Sequence, residues 1–299
     1  MIEASSALAK RICMVAAAAG LALSLNVNNA SADAKFQNWI AEFRSTAMAS
    51  GISAATYKRA FAGVTEIDPV VLEKAKFQPE FTAPVWDYID NRVNENSVAT
   101  GREMAKKYSR WLGAIEKSFG VDRSILLAIW SMETNYGEIM KRDDVMRDAV
   151  RSLATLAYAD PRRAKFGRTQ LIAAMKILQT GDIDRSHLTG SWAGALGHTQ
   201  FIPTSYLAYA VDMDGNGKRD IWNSIPDALA TAANLLRKNG WQSGQTWGYE
   251  VVLPAGRKFP AGSKTISEWQ SLGIVRANGK GFPNGRVKAT LKLPVPRQR

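Results

Sequence analysis

Residues 125–137, which read ILLAIWSMETNYG, place one carboxylate inside an apolar helical pattern. At about 100° per residue the pattern predicts an amphipathic helix, with Thr134 on the polar side and Glu133 in the middle of the apolar side. Ile129 and Trp130 lie one turn earlier, and desolvation beside them would raise the pKa of Glu133. A carboxyl that stays protonated near neutral pH is a suitable general acid. A structural role also stays open, in which Glu133 pairs with an arginine or caps a helix end.

A second unusual stretch, residues 190–206, combines three glycines with polar side chains. The glycines allow tight turns and a close approach of the backbone to a ligand. Ser191, Gln200 and Tyr206 suit a ligand that carries hydroxyl and amide groups. The stretch lacks the basic residue of a phosphate-binding loop. A tight turn between helices remains the alternative interpretation.

The chain around these two stretches is predicted to be mostly helical from residue 36 to residue 240. Capping residues such as Ser53 and Asp122 mark helix starts, and glycines such as Gly120 and Gly240 mark helix ends. From Tyr249 onward, short extended segments alternate with glycine- and proline-rich turns. The sequence therefore predicts one domain of the mainly α class (α+β), with a small β-like C-terminal portion. The predicted helices span residues 36–43, 54–61, 97–119, 123–140, 161–178 and 224–239, and the extended segments span 250–254 and 287–293.

The composition limits both the chemistry and the partners of the chain. Its 299 residues include 39 Lys and Arg against 27 Asp and Glu, and the formal net charge of +12 favours an anionic partner. Nucleic acid is disfavoured, because no run of basic residues exceeds two and no nucleic-acid-binding motif is present. Cys13 is the single cysteine, and it lies in the predicted signal peptide, which excludes thiol catalysis, disulfides and cysteine-bound zinc in the mature chain. The two histidines, His187 and His198, lack the sequence context of a Ser-His-Asp hydrolase.

Residues 1–32 have the pattern of a secretory signal peptide. Lys10 and Arg11 precede an apolar run over residues 12–25, and an A-x-A site follows, with cleavage predicted after Ala32 and, as an alternative that fits nearly as well, after Ala34. A membrane anchor is the alternative, but the run is too short to span about 30 Å of hydrocarbon. The mature chain is therefore expected to be exported to the periplasm as a soluble protein without stable membrane insertion.

Several motifs in order resemble the lytic murein transglycosylase B family of bacterial cell-wall enzymes. The resemblance covers nearly all of the mature chain and implies a lysozyme-like transglycosylase core. It also implies one catalytic domain over residues 33–299, no required cofactor and a monomer. The motifs are 132–137 (METNYG), 158–163 (YADPRR), 190–197 (GSWAGALG), 200–203 (QFIP), 212–222 and 239–241 (NGW), with an upstream part running from 36–39 (FQNW) to 79–81 (PEF).

The resemblance also implies a reaction. Family members cut the β-1,4 bond between N-acetylmuramic acid and N-acetylglucosamine in peptidoglycan, and the muramyl C6 hydroxyl forms a 1,6-anhydro sugar. Glu133 would protonate the leaving oxygen and then act as base towards that hydroxyl. Because the nucleophile is intramolecular, a second carboxylate that activates water is unnecessary. The alternative function is a peptidoglycan-binding protein of the same fold without turnover.

Substrate contacts carry over position by position from the resemblance. Ser191 and Gln200 match family residues near the catalytic glutamate. A pair of arginines matches a position at a helix start that faces the cleft, with a solvated basic face as the alternative. Further aromatic residues are assigned to the glycan cleft, and one of them stands where a relative has tyrosine. These residues are Arg162 and Arg163, then Tyr88 and, in place of the tyrosine, Phe166. Tyr206 is a further candidate for substrate contact, on its polar side chain alone.

Residues 212–223 follow the start of an EF-hand loop, but the last position is Asn223 instead of the usual bidentate glutamate. Asp227, just downstream, is a candidate for the missing carboxylate. The pattern predicts a weak structural calcium or sodium site, and an Asp/Gly turn closed by its own hydrogen bonds is the alternative. The predicted ligands are Asp212, Asp214, Asn216, Lys218, Asp220 and Asp227.

The C-terminal end departs from the family pattern. Relatives continue past the extended segment at 287–293 into a further segment that closes part of the cleft, whereas residues 294–299 have no structure-forming pattern. The chain is therefore expected to be truncated, with exposed apolar surface and lower stability as the consequences.

Overall fold

A computed structural model describes residues 34–76 and 85–293, with side chains from residue 88 onward in the second range. The predicted signal peptide, the resemblance at residues 79–81 and the C-terminal residues 294–299 lie outside the described residues. None of the described helices has both the length and the apolar character that a membrane crossing requires.

Helices dominate the described chain, which confirms the prediction of a mainly α fold. Two short 3-10 helices accompany them, at Glu138–Lys141 and Arg185–His187. The α-helices are α1 (34–49), α2 (Ala54–Ala60), α3 (Pro69–Lys76), α4 (Val85–Arg92), α5 (Glu95–Lys107), α6 (Ser109–Phe119), α7 (Arg123–Thr134), α8 (Ala149–Ala159), α9 (Ala164–Thr180), α10 (Pro203–Tyr209), α11 (Ile225–Lys238) and α12 (Ile266–Ser271).

The strands of the described residues form three separate two-stranded antiparallel ladders. The first ladder lies within the helical part, and the other two form the predicted β-like C-terminal portion, with α12 between their strands along the chain. The pairs are β1 (Arg147–Asp148) with β2 (Thr189–Gly190), β3 (Val251–Val252) with β5 (Val275–Arg276), and β4 (Ser263–Thr265) with β6 (Lys288–Thr290).

The helices α8 and α9 lie at the centre of the core. Nearly every residue of α8 is buried, and α10 and α2 also pack on α9. Gly167 allows the two backbones to approach closely, because a Cβ atom there would lie 2.5 Å from the Ala157 nitrogen. The site described below is built from α7 and from the loop that follows α9, which packs on α8 where Gly194 meets Leu153.

Several predicted helices have their caps where the sequence places them. Ser53 accepts a hydrogen bond from the Thr56 N–H at the start of α2, and Asp122 accepts one from the Ser124 N–H at the start of α7. Gly120 has left-handed backbone at the end of α6. These local signals are strong because each needs only the residues of one helix turn.

Two predicted helices are longer than the observed ones. The prediction of one helix over 97–119 is wrong, because Tyr108 leaves helical geometry (φ −103°, ψ 17°) and separates α5 from α6. The ring of Tyr108 packs edge-on against Trp130, 5.7 Å away between centroids. The prediction of 123–140 is also wrong, because α7 ends at Thr134, where Asn135 turns left-handed.

The helix α9 begins three residues later than predicted. Pro161 is not the first helical residue, so Asp160 does not cap the start of α9. The Asp160 carboxylate accepts a hydrogen bond from the Arg162 N–H in a tight turn instead. The Arg163 N–H then bonds the Asp160 carbonyl, and helical geometry starts at Ala164. The turn sets the connection between the two central helices.

Candidate active site

Glu133 lies in the last turn of α7, one residue before the helix ends. Its side chain is exposed, so the prediction that it projects from the middle of the apolar face is wrong. The buried face is formed by Leu126, Leu127, Trp130 and Thr134, and Glu133 lies at its margin, about 60° around the helix from Trp130. Thr134 is fully buried, although its polarity had placed it on the outer side.

Two opposing influences act on the Glu133 carboxyl. Although solvent reaches the side chain, surrounding protein displaces enough water to raise its pKa above the ordinary value, and the charge of Arg92 lowers it. Arg92 ends α4, donates to the Met132 carbonyl oxygen at 3.0 Å, and lies over the Tyr88 ring at 5.6 Å. An accessible carboxyl with a raised pKa has the properties of a general acid that a substrate can reach.

The turn after α7 has unusual backbone geometry. Asn135, Tyr136 and Gly137 have φ angles of 48°, 55° and 92°, so three consecutive residues are left-handed. Such geometry is costly for residues with a side chain and persists only where surrounding structure holds it. It reverses the chain directly after Glu133 and leaves the carboxyl at the end of a helix.

The glycine-rich stretch forms a compact loop next to α8. Its start is fixed by the β1–β2 ladder, and further bridges join Leu196 to Gly190 and to Phe201. The Ser191 hydroxyl oxygen accepts the Ala195 N–H at 3.1 Å, and that bond does not use the hydroxyl proton. Gln200 has left-handed backbone and donates from its side chain to the Gly197 carbonyl. Both polar residues are half-buried, a placement compatible with substrate contact.

His198 joins this loop to the helix that carries Glu133. The Trp130 Nε1–H donates to His198 Nδ1 at 3.1 Å, and the Thr134 hydroxyl donates to the His198 carbonyl at 2.7 Å. The two stretches that the sequence singled out are therefore in direct contact.

The paired arginines are largely engaged with the protein itself. Arg163 donates to the Ala75 carbonyl at 2.9 Å and to Asp160 at 3.0 Å, and its guanidinium lies over the Trp192 ring. Arg162 pairs with Asp160 more loosely and is mostly exposed. These contacts tie the end of α3 to the start of α9. Arg162 stays accessible to a ligand, and a cleft-facing role for either arginine stays a prediction.

The predicted aromatic contacts separate into two kinds. Tyr206 is fully buried and donates its hydroxyl to the Arg219 carbonyl at 2.5 Å. Its assignment to the substrate is therefore wrong, because no surface of the side chain is accessible. Phe166 is half-buried against the apolar cluster of Val71, Ala75 and Leu156, and Tyr88 is half-buried beside Arg92. These two rings keep partly accessible surface.

The residues of the EF-hand-like loop divide into a carboxylate cluster and residues outside it. Oxygen atoms of Asp212, Asp214 and Asp227 lie within 4.8 Å of one another. Burial raises the pKa of Asp227, and three backbone N–H groups that donate to its carboxylate offset this effect only in part. The negative charge of Asp227 is therefore incompletely compensated. This donor set fits a hard cation.

The remaining predicted ligands make other contacts. Asp220 lies outside the carboxylate cluster, and its carboxylate accepts the N–H groups of Trp222 and Asn223. Asn216 uses its side-chain oxygen to accept the Lys218 N–H. The loop is therefore partly the self-bonded Asp/Gly turn of the alternative interpretation.

Similarity to known proteins identifies the family of the chain. The transglycosylase SLT domain family matches residues 35–299. The chain belongs to this family. It is 33% identical over 209 residues to the membrane-bound lytic murein transglycosylase B of Escherichia coli, and the match covers 68% of this chain and 55% of that protein. The chain thus spans about half the length of this curated relative.

Solved structures of transglycosylases share the fold. SltB3 from Pseudomonas aeruginosa, in complex with NAG-NAM-pentapeptide, is 47% identical with a TM-score of 0.80, over 87% of this chain and 69% of that one. The lytic transglycosylase Slt35 of E. coli, in complex with calcium, is 24% identical with a TM-score of 0.69, over 85% and 78%. These matches confirm the predicted resemblance and the lysozyme-like transglycosylase fold.

Two residues of this SLT-domain site were missed by the sequence prediction. Arg92 precedes its contact Met132 by 40 residues, and His198 follows its contact Trp130 by 68 residues. Periodicity relates residues within one element and carries no signal for such distant pairs. His198 had one usable signal, its position inside the glycine-rich stretch.

Proposed function

We propose that the chain is a peptidoglycan lytic transglycosylase in which Glu133 is the general acid and base. The observation that carries the proposal is the placement of Glu133 at a helix end, accessible to a ligand yet desolvated enough for a raised pKa. Membership of the SLT-domain family supports the reaction class. The complexes of SltB3 with NAG-NAM-pentapeptide and with NAG-anhNAM-pentapeptide support the substrate and the anhydro product.

In the proposed reaction, protonated Glu133 donates its proton to the bridging oxygen as the bond from the muramyl anomeric carbon breaks. The carboxylate then accepts the proton of the muramyl C6 hydroxyl, whose oxygen bonds the same anomeric carbon. The proton lost in the first step is recovered in the second, so no other reactant is consumed. Arg92 stabilises the carboxylate that exists between the two steps, because its charge favours the ionised form.

The supporting contacts are proposed on geometry and family resemblance together. Ser191 and Gln200 are proposed to bond the sugar or Glu133 from the glycine-rich loop. Arg162 and Arg163 are proposed to meet the carboxylates of the lactyl and peptide groups. Tyr88 and Phe166 are proposed to line the glycan cleft, each through the accessible part of its ring.

The EF-hand-like loop is proposed to bind calcium or sodium weakly, in a structural role. The cluster of Asp212, Asp214 and Asp227 supports this assignment, and the use of Asp220 for backbone N–H groups predicts a low affinity. The calcium complex of Slt35 concerns a relative that shares the fold.

The site of action is proposed to be the periplasm, where the cell wall is accessible. The basic residues, apolar run and A-x-A site before residue 33 support export with cleavage near Ala32. The proposed domain, residues 33–299, agrees with the extent of the family match. The protein is also proposed to be a monomer and to bind peptidoglycan strands.

Digestion of purified sacculi, followed by mass spectrometry, tests the proposed activity. The protein is expected to release anhydro-muropeptides, and Glu133→Gln is expected to lose at least about 10²-fold in rate, since one general acid contributes that much. Glu138→Gln is the matched control, because Glu138 is an exposed neighbour paired with Lys141, and it is expected to keep the normal rate.

Two outcomes would contradict the proposal. Full activity of Glu133→Gln would remove Glu133 from the chemistry. Bound but uncut glycan with the unaltered protein would favour the alternative, a peptidoglycan-binding protein without turnover.

A further inference from the structure

His198 contacts the strained turn behind Glu133 at its tightest point. At Gly137 a Cβ atom would lie 2.5 Å from the His198 Cε1 atom, so the imidazole occupies the space that any side chain there would need. The imidazole also packs edge-on against the Trp130 ring, with 5.7 Å between centroids. Together with the hydrogen bonds from Trp130 and Thr134, His198 touches α7 before Glu133, directly after it, and in the turn that follows.

The same residue is anchored on its other side. The His198 N–H donates to the Ile221 carbonyl at 3.0 Å. Nearby Gly197 allows this approach, because a Cβ atom there would lie 2.5 Å from the Ile221 oxygen. His198 therefore bridges the helix of Glu133 and the end of the EF-hand-like loop.

We propose that His198 is a positioning residue that fixes the Glu133 carboxyl by holding the left-handed turn behind it. This inference rests on the proposed function, since it assigns a role in the same site. The role requires one tautomer: Nδ1 accepts from Trp130, so the neutral ring carries its proton on Nε2. A protonated imidazole would present a donor to the Trp130 N–H and break the contact.

The surroundings keep the imidazole neutral. Burial lowers the pKa of His198 to about 4, and the Trp222 backbone and the charge of Asp220 act weakly in the opposite direction. His198 therefore accepts from Trp130 throughout the pH range in which a cell-wall enzyme works. Its role is geometric and involves no proton transfer to substrate.

Two substitutions separate positioning from simple packing. His198→Asn keeps an acceptor at the place of Nδ1, and His198→Leu fills similar space without one. We expect His198→Leu to lose about 10²-fold in kcat with little change in KM, because small displacements of a catalytic group cost that much. His198→Asn should recover most of that loss. His187→Asn is the matched control on the exposed histidine, and it should keep the normal kcat.

A measurement that does not depend on turnover accompanies the kinetics. ¹⁵N chemical shifts of the full chain should show His198 as the neutral Nε2–H tautomer between about pH 5.5 and 8. Trp130→Phe, which removes the donor, should cost kcat as His198→Leu does, and the double variant should lose no more than either single variant.

The outcomes distinguish this inference from the proposed function. Absence of anhydro products from the unaltered protein would overturn the function. Normal kcat in His198→Leu, equal losses in the Leu and Asn variants, or an imidazolium or Nδ1–H form of His198 in the unaltered protein would overturn the positioning role.

Discussion

At Glu133, one carboxyl is held between two opposing influences, desolvation that raises its pKa and the guanidinium of Arg92 that lowers it. The balance matters for the proposed role of Glu133, in which the same group releases a proton and then takes one back. A carboxyl without the cation would hold its proton too strongly, and one without desolvation would ionise before substrate arrives.

Replacement of Arg92 by methionine tests that balance. Removal of the positive charge should raise the pKa of Glu133 further, so the alkaline limb of the pH–rate profile, where the acid form is lost, should move to higher pH. Arg92→Lys should keep most of the original profile. The measurement is the initial rate of anhydro-muropeptide release as a function of pH.

Arg102→Met serves as the control, because Arg102 is an exposed arginine of α5. A shift of the alkaline limb towards lower pH in Arg92→Met, or an equal shift in the control, would contradict the assignment.

At this scale the sequence singled out Glu133, the proposed acid, but placed its side chain wrongly. Glu133 stood out as a carboxylate in an apolar pattern, yet its exposure depends on where α7 ends. Asn135, a residue type that tolerates left-handed backbone, is a signal for that end, but the apolar pattern that continues to Met140 conceals it. Tyr206 was assigned to substrate because its hydroxyl suits a sugar, and the structure uses that hydroxyl to hold the Arg219 carbonyl in the core. The hydroxyl of a tyrosine side chain implies that a hydrogen-bond partner exists, but it does not identify that partner.

At the scale of elements, the contact between α8 and α9 depends on Gly167. Gly167→Ala should destabilise the fold by about 2 kcal/mol or more, because the added Cβ would meet the Ala157 backbone, which cannot move aside cheaply. Thermal or urea unfolding measures the effect.

Gly113 provides the matched control within a helix. A Cβ atom at Gly113 of α6 would find only the Arg123 guanidinium, 3.9 Å away. Gly113→Ala should therefore stabilise by up to about 1 kcal/mol through helix propensity. Equal destabilisation by both substitutions would show that the α8–α9 approach is not the cause.

Helix ends that are marked by residues close in sequence were predicted well, whereas helix ends that depend on tertiary contacts were not. The predicted caps Ser53 and Asp122 mark the starts of α2 and α7. The break at Tyr108 accompanies the packing of its ring on Trp130, a residue of another helix. A local sequence pattern around Tyr108 does not include Trp130, so it cannot predict this break.

At the scale of the whole molecule, the EF-hand-like loop connects distant parts of the chain. Arg219 pairs with buried Asp182, just past the end of α9, and Asp227 at the start of α11 accepts the N–H groups of Met213 and Asp220. An ion bound among these carboxylates would therefore stabilise the complete fold, because unfolding separates every ligand.

Calcium titration followed by thermal unfolding tests this. At about 100 times the dissociation constant, calcium should add about 2.7 kcal/mol, a rise of roughly 5 °C or more in Tm. Asp214→Asn should reduce the rise. Asp143→Asn, at an exposed acid outside the loop, should leave it unchanged. No rise in the unaltered protein, or an unchanged rise in Asp214→Asn, would count against the ion site.

The connection between the two central helices is only four residues long, from Asp160 to Arg163, yet it joins the most extensive helix contact of the described chain. Bringing α8 and α9 together therefore costs little loop-closure entropy. Because contacts between sequence neighbours form rapidly, we expect this hairpin to form early in folding. The α8 surface on which the glycine-rich loop rests can therefore assemble before that loop has been synthesised.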